Sequence, residues 1–263
     1  MDIFKLEPHF RRIGARLRVR PETAGGVAID VVEDRFGESF EIRFPKDTEA
    51  DLFPVTVDPS DRHLLLALRD EGKTSKFLCG HDERHWFVAG LPDFANGAGT
   101  VRAAKDALKP AVVRMAEDRQ RVSVARRHRR RNEAFVRQGE WFFLPQTWFR
   151  PDPVTILHNE PLSRGVGSKP HRLEESVRTG GEVVHVCSRH PLGVTTARYN
   201  GILSRNPKAR TWGWSVQRRN PAVYARGRVR HPDHATIRLH EWHLVAMNTE
   251  GQSVASRFVA FLD

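Results

Sequence analysis

Cysteine is nearly missing from this chain: Cys79 and Cys187 are the only two in 263 residues, and they lie far apart with no Cys-x-x-Cys spacing. That excludes a disulfide-framed scaffold and a thiolate zinc finger, and it fits a reducing compartment. No run of about 18 apolar residues occurs, so no segment reads as a membrane-spanning helix. Met1 leads into the polar stretch Asp2 to Arg20 rather than an apolar signal core. The expectation is a soluble cytoplasmic protein with no membrane partner. The segment Ser163-Arg164-Gly165-Val166-Gly167-Ser168-Lys169 lacks the Gly-Lys-Ser/Thr ending of a nucleotide-binding P-loop, and no His-Glu-x-x-His pattern is present.

Negative charge is also in deficit. Against 43 Lys and Arg stand 32 Asp and Glu, giving a net charge of +11 and a pI near 10.4. Such a balance is the electrostatic footprint expected of a nucleic-acid binder. With 39% apolar residues the chain can still bury a proper core, which excludes intrinsic disorder.

The basic residues peak in Arg126-Arg127-His128-Arg129-Arg130-Arg131, within a helix-compatible stretch from Ala111 to Gln138. Crowded guanidiniums repel one another, so a polyanion is the natural neutraliser. On a helix, residues 126, 129 and 130 share one face while 127 and 131 lie on the adjacent one, which suits a phosphate backbone better than base reading. The competing expectation is a solvated helix whose arginines pair with Glu117, Asp118, Glu133 or carboxylates of the first domain. Phe135, Trp141, Phe142, Phe143, Trp148 and Phe149 follow closely and could stack on bases, although so dense an aromatic run argues for burial.

Periodicity divides the chain into three parts. Residues 1–99 read as a β-rich domain, with strands at 27–32, 38–44, 53–58, 63–69, 76–79 and 85–89 and a hairpin turn at Asp70-Glu71-Gly72-Lys73. Alternation places Phe40, Ile42 and Phe44 on one face. Residues 100–138 read as a helical, arginine-rich connector with Thr100 as N-cap and a break at Pro110. Residues 139–263 read as an all-β barrel or sandwich, with strands near 140–144, 182–186, 212–216, 222–227, 236–239, 243–247 and 253–262. The fold class is therefore α+β.

Eight of the 13 histidines fall in that last part. Within Arg226-Gly227-Arg228-Val229-Arg230-His231-Pro232-Asp233-His234, a turn opened by Pro232 lets two imidazoles converge, with Asp233 joining them or orienting one ring. With His171 and His243 they supply enough donors for a divalent metal as cofactor. The same groups support metal-free catalysis, in which His171, His231 and His234 exchange protons while Arg226, Arg228 or Arg230 holds a phosphate. Alternatively the histidines are ordinary loop residues. Cys79-Gly80-His81-Asp82-Glu83-Arg84-His85 also carries ligand-type residues at close spacing, and a polar turn between strands and a site are equally open readings of it.

Arg137-Gln138-Gly139-Glu140 before Phe142-Phe143-Leu144-Pro145, a Gly-x-x-x-His element at Gly167 to His171, and His231-Pro232-Asp233-His234 before Ile237 and Leu239 resemble an uncharacterised group of bacterial and phage-related β-domain proteins. The resemblance covers Arg137 to Asn248 and implies that His171, His231 and His234 meet in space, without naming a substrate. Pro232, His243 and Asn248 are similar to the second motif of cupins, but Asp233 stands where that family has Gly.

The leading expectation is a nucleic-acid-binding protein, for RNA or single strands, within a larger nucleic-acid-processing assembly. Its contacts would be Arg126, Arg127, Arg129, Arg130, Arg131, Arg226, Arg228 and Arg230. A phosphodiesterase or nuclease built on His171, His231 and His234 is the first alternative. A protein-interaction adaptor whose arginines dock on an acidic partner is the second.

Overall fold

The computed structural model describes residues 5–23, 26–45, 48–164 and 169–250. The fold is α+β and mostly strand, with four sheets and four short α-helices among the described residues. Helix α1 (Glu7–Arg12) precedes β1 (Leu17–Glu22), which runs parallel to β3 (Gly37–Pro45); β3 in turn pairs antiparallel with β2 (Ala28–Asp34). A second sheet is the meander β4 (Asp51–Asp58), β5 (His63–Asp70), β6 (Lys73–Asp82) and β7 (His85–Gly90). Phe40 and Ile42 meet Leu64, Leu66 and Phe77 in a core shared by the two sheets, with Phe44 at its margin. Glu71 and Gly72 close the β5–β6 hairpin at φ 48° and 76°. A two-residue hairpin turn of this hand requires positive φ at both positions.

Thr100 caps α2 (Val101–Ala107), its hydroxyl oxygen accepting the Ala103 N–H at 3.1 Å. Pro110 then separates α2 from α3 (Ala111–Arg119). Lys109, between the helices, is buried with its Nζ 2.9 Å from Glu117 Oε1.

The expected long basic helix does not form. Helix α3 stops at Arg119, Arg121 takes φ 50°, and residues 126–130 follow as turns and bends. Asn132 Oδ1 accepts the N–H groups of Ala134 and Phe135 at 2.9 and 3.1 Å, fixing the return of the chain. Val122, Ala134 and Phe135 are pinned in a core with Phe142 and Leu144, and a continuous helix could not bury all three while also spreading the guanidiniums toward carboxylates on different elements. The connector is two short helices and a looped arginine segment.

The last part holds β8 (Val136–Gln138), β9 (Trp141–Pro145), β10 (Leu157–Leu162), β11 (His171–Thr179), β12 (Glu182–Cys187), β13 (His190–Thr195), α4 (Thr196–Arg205), β14 (Ser215–Arg219), β15 (Ala222–Arg230) and β16 (Ile237–Met247). Six of these strands form an antiparallel sheet in the order β10-β11-β15-β16-β9-β8. Its edge strands β10 and β8 do not pair, so no barrel closes. Neither is this part all β: α4 sits among β12, β13 and β14, which make a separate three-stranded sheet. The two strands expected at 236–239 and 243–247 are one, β16. The strand expected at 253–262 lies outside the described residues.

In β9, Trp141 and Phe143 enter one core with Leu173, Val229 and Leu239, while Phe142 and Leu144 enter the core beneath the arginine segment. Period-two alternation with both faces covered explains why four consecutive large side chains are all buried. They are core rather than stacking surface. No helix among the described residues is long and apolar enough to cross a membrane.

Glu117→Ala leaves the buried Lys109 ammonium with only the partly exposed Asp106 carboxylate, 3.0 Å away, and should destabilise the fold by less than the ~3–5 kcal/mol of a fully unpaired charge, measured by urea denaturation. His128, beside Lys109 and Asp106, is pushed down to about 4, first by burial and then by the Lys109 charge. Its neutral form is thus favoured in the fold, and its contribution to stability is complete above the unfolded value of 6.5 and lost as pH falls toward 4. Thermal melts across that window should show a shallower acid loss in His128→Gln than in the parent.

Candidate metal centre and arginine segment

Strands β11 and β15 pair antiparallel with Arg172 opposite Arg230, which brings His171 at the start of one beside His231 just past the end of the other. His234, in the bend between β15 and β16, returns to the same point. Gln138 Nε2 holds this bend by donating to the Ala235 carbonyl at 2.6 Å. The ring centroids of His171 and His231 are 4.3 Å apart, those of His231 and His234 4.7 Å, and those of His171 and His234 5.7 Å. One nitrogen from each ring lies within 4.8 Å of the others. Around a tetrahedral zinc two imidazole nitrogens sit roughly 3.3 Å apart, so small rotations would close the set.

The three rings are differently prepared. His171 is buried and neither of its nitrogens has a hydrogen-bond partner. Burial, then the charges of His231 and His234, pushes its pKa to about 3. His234 Nδ1 faces Glu83 Oε2 at 3.4 Å, and burial likewise lowers its pKa. No hydrogen bond joins the two at that separation; a small approach of Glu83 would hold the proton on Nδ1 and leave Nε2 as a lone pair, the arrangement of a carboxylate–histidine–metal triad. His231 accepts the Asp233 N–H on Nδ1 at 3.1 Å and donates from Nε2 to the Lys169 carbonyl at 3.2 Å. To act as a ligand it must release one of these. Asp233 thus orients a ring, as expected, through its backbone, while its carboxylate takes Lys169 Nζ at 3.0 Å.

His243 does not join. It lies on β16 opposite Ala225 and Pro145, with Nδ1 2.7 Å from the Glu241 carbonyl, and is not part of the three-residue group. The four-ligand expectation reduces to three because β16 carries His243 back along the sheet, away from the bend that positions His234.

Asp82 and Glu83, at the turn between β6 and β7, belong to a segment that the sequence offers either as a polar turn or as a site. In fact they reach the opposite half of the molecule. Asp82 pairs with Arg130 and, at 2.6 Å, with Arg137; Glu83 pairs with Arg130, faces His234, and accepts the Ala235 N–H at 3.2 Å. The crowded Cys79 to His85 segment signalled a polar turn but not its destination.

The arginine run is largely neutralised from within. Arg126 pairs with Glu133, Arg127 with Asp118 at 2.6 Å, and Arg130 with the Asp82–Glu83 turn. On β15, Arg226 meets Glu175 at 2.5 Å, Arg228 meets Glu174 at 3.2 Å, and Arg230 meets the Asn159 amide oxygen at 3.2 Å. Of the eight expected nucleic-acid contacts, Arg129 and Arg131 have neither a carboxylate nor an amide partner for their side chains among the described residues. The premise of an uncompensated polycation in this segment is therefore corrected: its looped path gives each of three guanidiniums a different carboxylate.

A cleft of about 1160 Å³ opens between the two halves. His231 and His234 line it together with Glu140, Glu250, Arg129 and Lys169. Burial raises Glu250 to about 7. No protein-family model, curated protein or solved structure matches this chain.

Gly139, between β8 and β9, has φ 55°, and a Cβ there would lie 2.9 Å from His234 Nε2 and 3.6 Å from His171 Nε2. Gly139→Ala should cost about 1–2 kcal/mol through the left-handed backbone, lower Tm by roughly 2–8 °C, and displace His234. Calorimetry reads the first effect, and shifted imidazole NMR resonances of His171 and His234 read the second.

Proposed function

We propose that this protein is a phosphodiesterase that holds a divalent transition metal on His171, His231 and His234 and acts on nucleic acid in the adjoining cleft. The observation that carries the reading is His171: a buried imidazole, aimed at two others, with both nitrogens unpartnered. A general base needs a pKa near working pH, and a group held at about 3 is a poor one. As a metal ligand the same ring is well suited, because it stays neutral and keeps its lone pair at every physiological pH. This favours the metal-bound form of the reaction over the metal-free one.

Three histidines leave coordination positions open, the pattern of a catalytic rather than a structural centre. A cation there supplies a Lewis acid for a phosphoryl oxygen and a water of lowered pKa. Arg129, whose side chain has no carboxylate partner among the described residues, gives the cleft a cation for a phosphate, and Lys169, held by Asp233, lines the cleft as well. Glu250, whose carboxyl retains a proton near neutrality, is suited to protonate a leaving oxygen. Glu83 orients His234.

Calorimetric titration with Zn2+ or Mn2+ should show one ion per chain, with affinity reduced about 100-fold or more in His171→Ala and about 10- to 100-fold in Glu83→Gln. Hydrolysis of bis(p-nitrophenyl) phosphate should stop in His171→Ala and on chelation. Absence of metal binding by the parent protein, or equal affinity in His171→Ala, overturns the assignment.

A further inference from the structure

A larger group of unpaired cations lies away from the arginine run. Residues 182–219, comprising β12, β13, α4, β14 and the turn before it, contain seven Lys and Arg against one carboxylate, Glu182. Glu182 is taken by Arg219. Arg189, Arg198, Arg205, Lys208, Arg210 and Arg218 are exposed and have no carboxylate partner among the described residues. Six unneutralised cations on one small unit repel one another, a cost that a polyanion removes.

The same unit carries an array of rings. Trp212 and Trp214 are stacked at 6.0 Å and 25°, His190 lies over Trp214 at 5.6 Å and 13°, and His185 stacks on Tyr199 at 3.9 Å and 4°. The Arg189 guanidinium sits 4.4 Å from the Trp212 ring centre. None of the four hydrophobic clusters of the protein draws a residue from 182–219, so these rings are not part of the main core. Leu192 and Val216 add exposed apolar side chains.

We infer that residues 182–219 form a binding platform for single-stranded nucleic acid, with the free arginines and Lys208 on the phosphates and the Trp212–Trp214 array stacking on bases. Unpaired cations interleaved with aromatic rings are what a flexible strand with exposed base faces needs; a duplex hides those faces, and an acidic peptide has none to offer. The platform does not depend on the metal centre, whose residues lie on other strands.

Fluorescence anisotropy with a labelled oligothymidylate of about 15 nucleotides tests this in the full chain, both in the parent protein and in His171→Ala. Arg198→Glu combined with Arg210→Glu, both at exposed positions, should weaken binding about tenfold or more and flatten the salt dependence. Trp212→Ala should weaken it about 5- to 150-fold with the salt slope kept, and Trp212→Phe should restore most of the loss. Arg131→Glu should change it by less than about threefold, and His171→Ala should leave it intact even if metal binding is lost. The inference is overturned if the charge-reversed variant binds as the parent does, if a duplex of equal length binds as tightly as the single strand, or if polyglutamate displaces the oligonucleotide as well as unlabelled strand does, which would assign the surface to an acidic protein.

Discussion

Two adjacent carboxylates at the tip of one hairpin organise the rest of this molecule. Asp82 and Glu83 leave the meander of the first half and take up Arg130, Arg137, the His234 ring and the Ala235 N–H of the second half. Burial disfavours charge on Asp82, yet Arg137 and Arg130 beside it hold its carboxyl below the usual carboxylate range. An anion so placed cannot lose its partners cheaply, because an unpaired charge in a partly dry site is worth several kcal/mol. The turn therefore fixes three things together: the path of the arginine segment, the position of the bend after β15, and the width of the cleft between the halves.

That constraint also explains the arginine run. Six consecutive basic residues on a regular helix would present their charges at fixed spacing with few acidic groups in reach. Looped, the segment sends Arg126 back to Glu133, Arg127 to Asp118 and Arg130 across to the first half. His128 stays neutral under burial and adds no charge. The self-repulsion that pointed to an external polyanion is relieved internally at three of the five arginines, and the larger group of unpaired cations is on the small sheet of residues 182–219.

Local chemistry in the sequence located β2 to β7, the Thr100 cap, the break at Pro110 and the Glu71-Gly72 hairpin, since each depends on neighbouring residues alone, but not α1 or β1. Convergence of His171 with His231 and His234 was legible from residue type and the Pro232 bend, although the sequence could not distinguish His243, whose exclusion depends on how far β16 runs. Long-range pairings were invisible in the same way. Nothing in Cys79 to His85 says that its acidic turn crosses to another sheet, and nothing in 111–138 overrides helical propensity except core positions such as Val122 and Phe135 that only the tertiary fold assigns. Helix α4 was missed although Tyr199, Ile202 and Leu203 stand at helical spacing, because it is only ten residues long, carries Asn200 and Gly201 at its centre, and is held by the sheet beside it.

The histidine group is a place where the fold departs from its own rule of satisfied polar atoms. Several buried donors find acceptors, Gln138 at Ala235, Thr249 at Ala107 and Lys109 at Glu117, while Trp141 Nε1, Ser176 Oγ and both nitrogens of His128 make no hydrogen bond among the described residues. His171 has none on either nitrogen. A neutral imidazole always carries one N–H and one lone pair, so leaving both unmet in a dry site costs about 1–3 kcal/mol for each group. A cation on the lone pair recovers part of that cost in the folded state only, because the unfolded chain does not hold the three rings together. Ligand binding and fold stability are then one equilibrium at this site: the geometry that leaves His171 unsatisfied is also what makes occupation of the site stabilising.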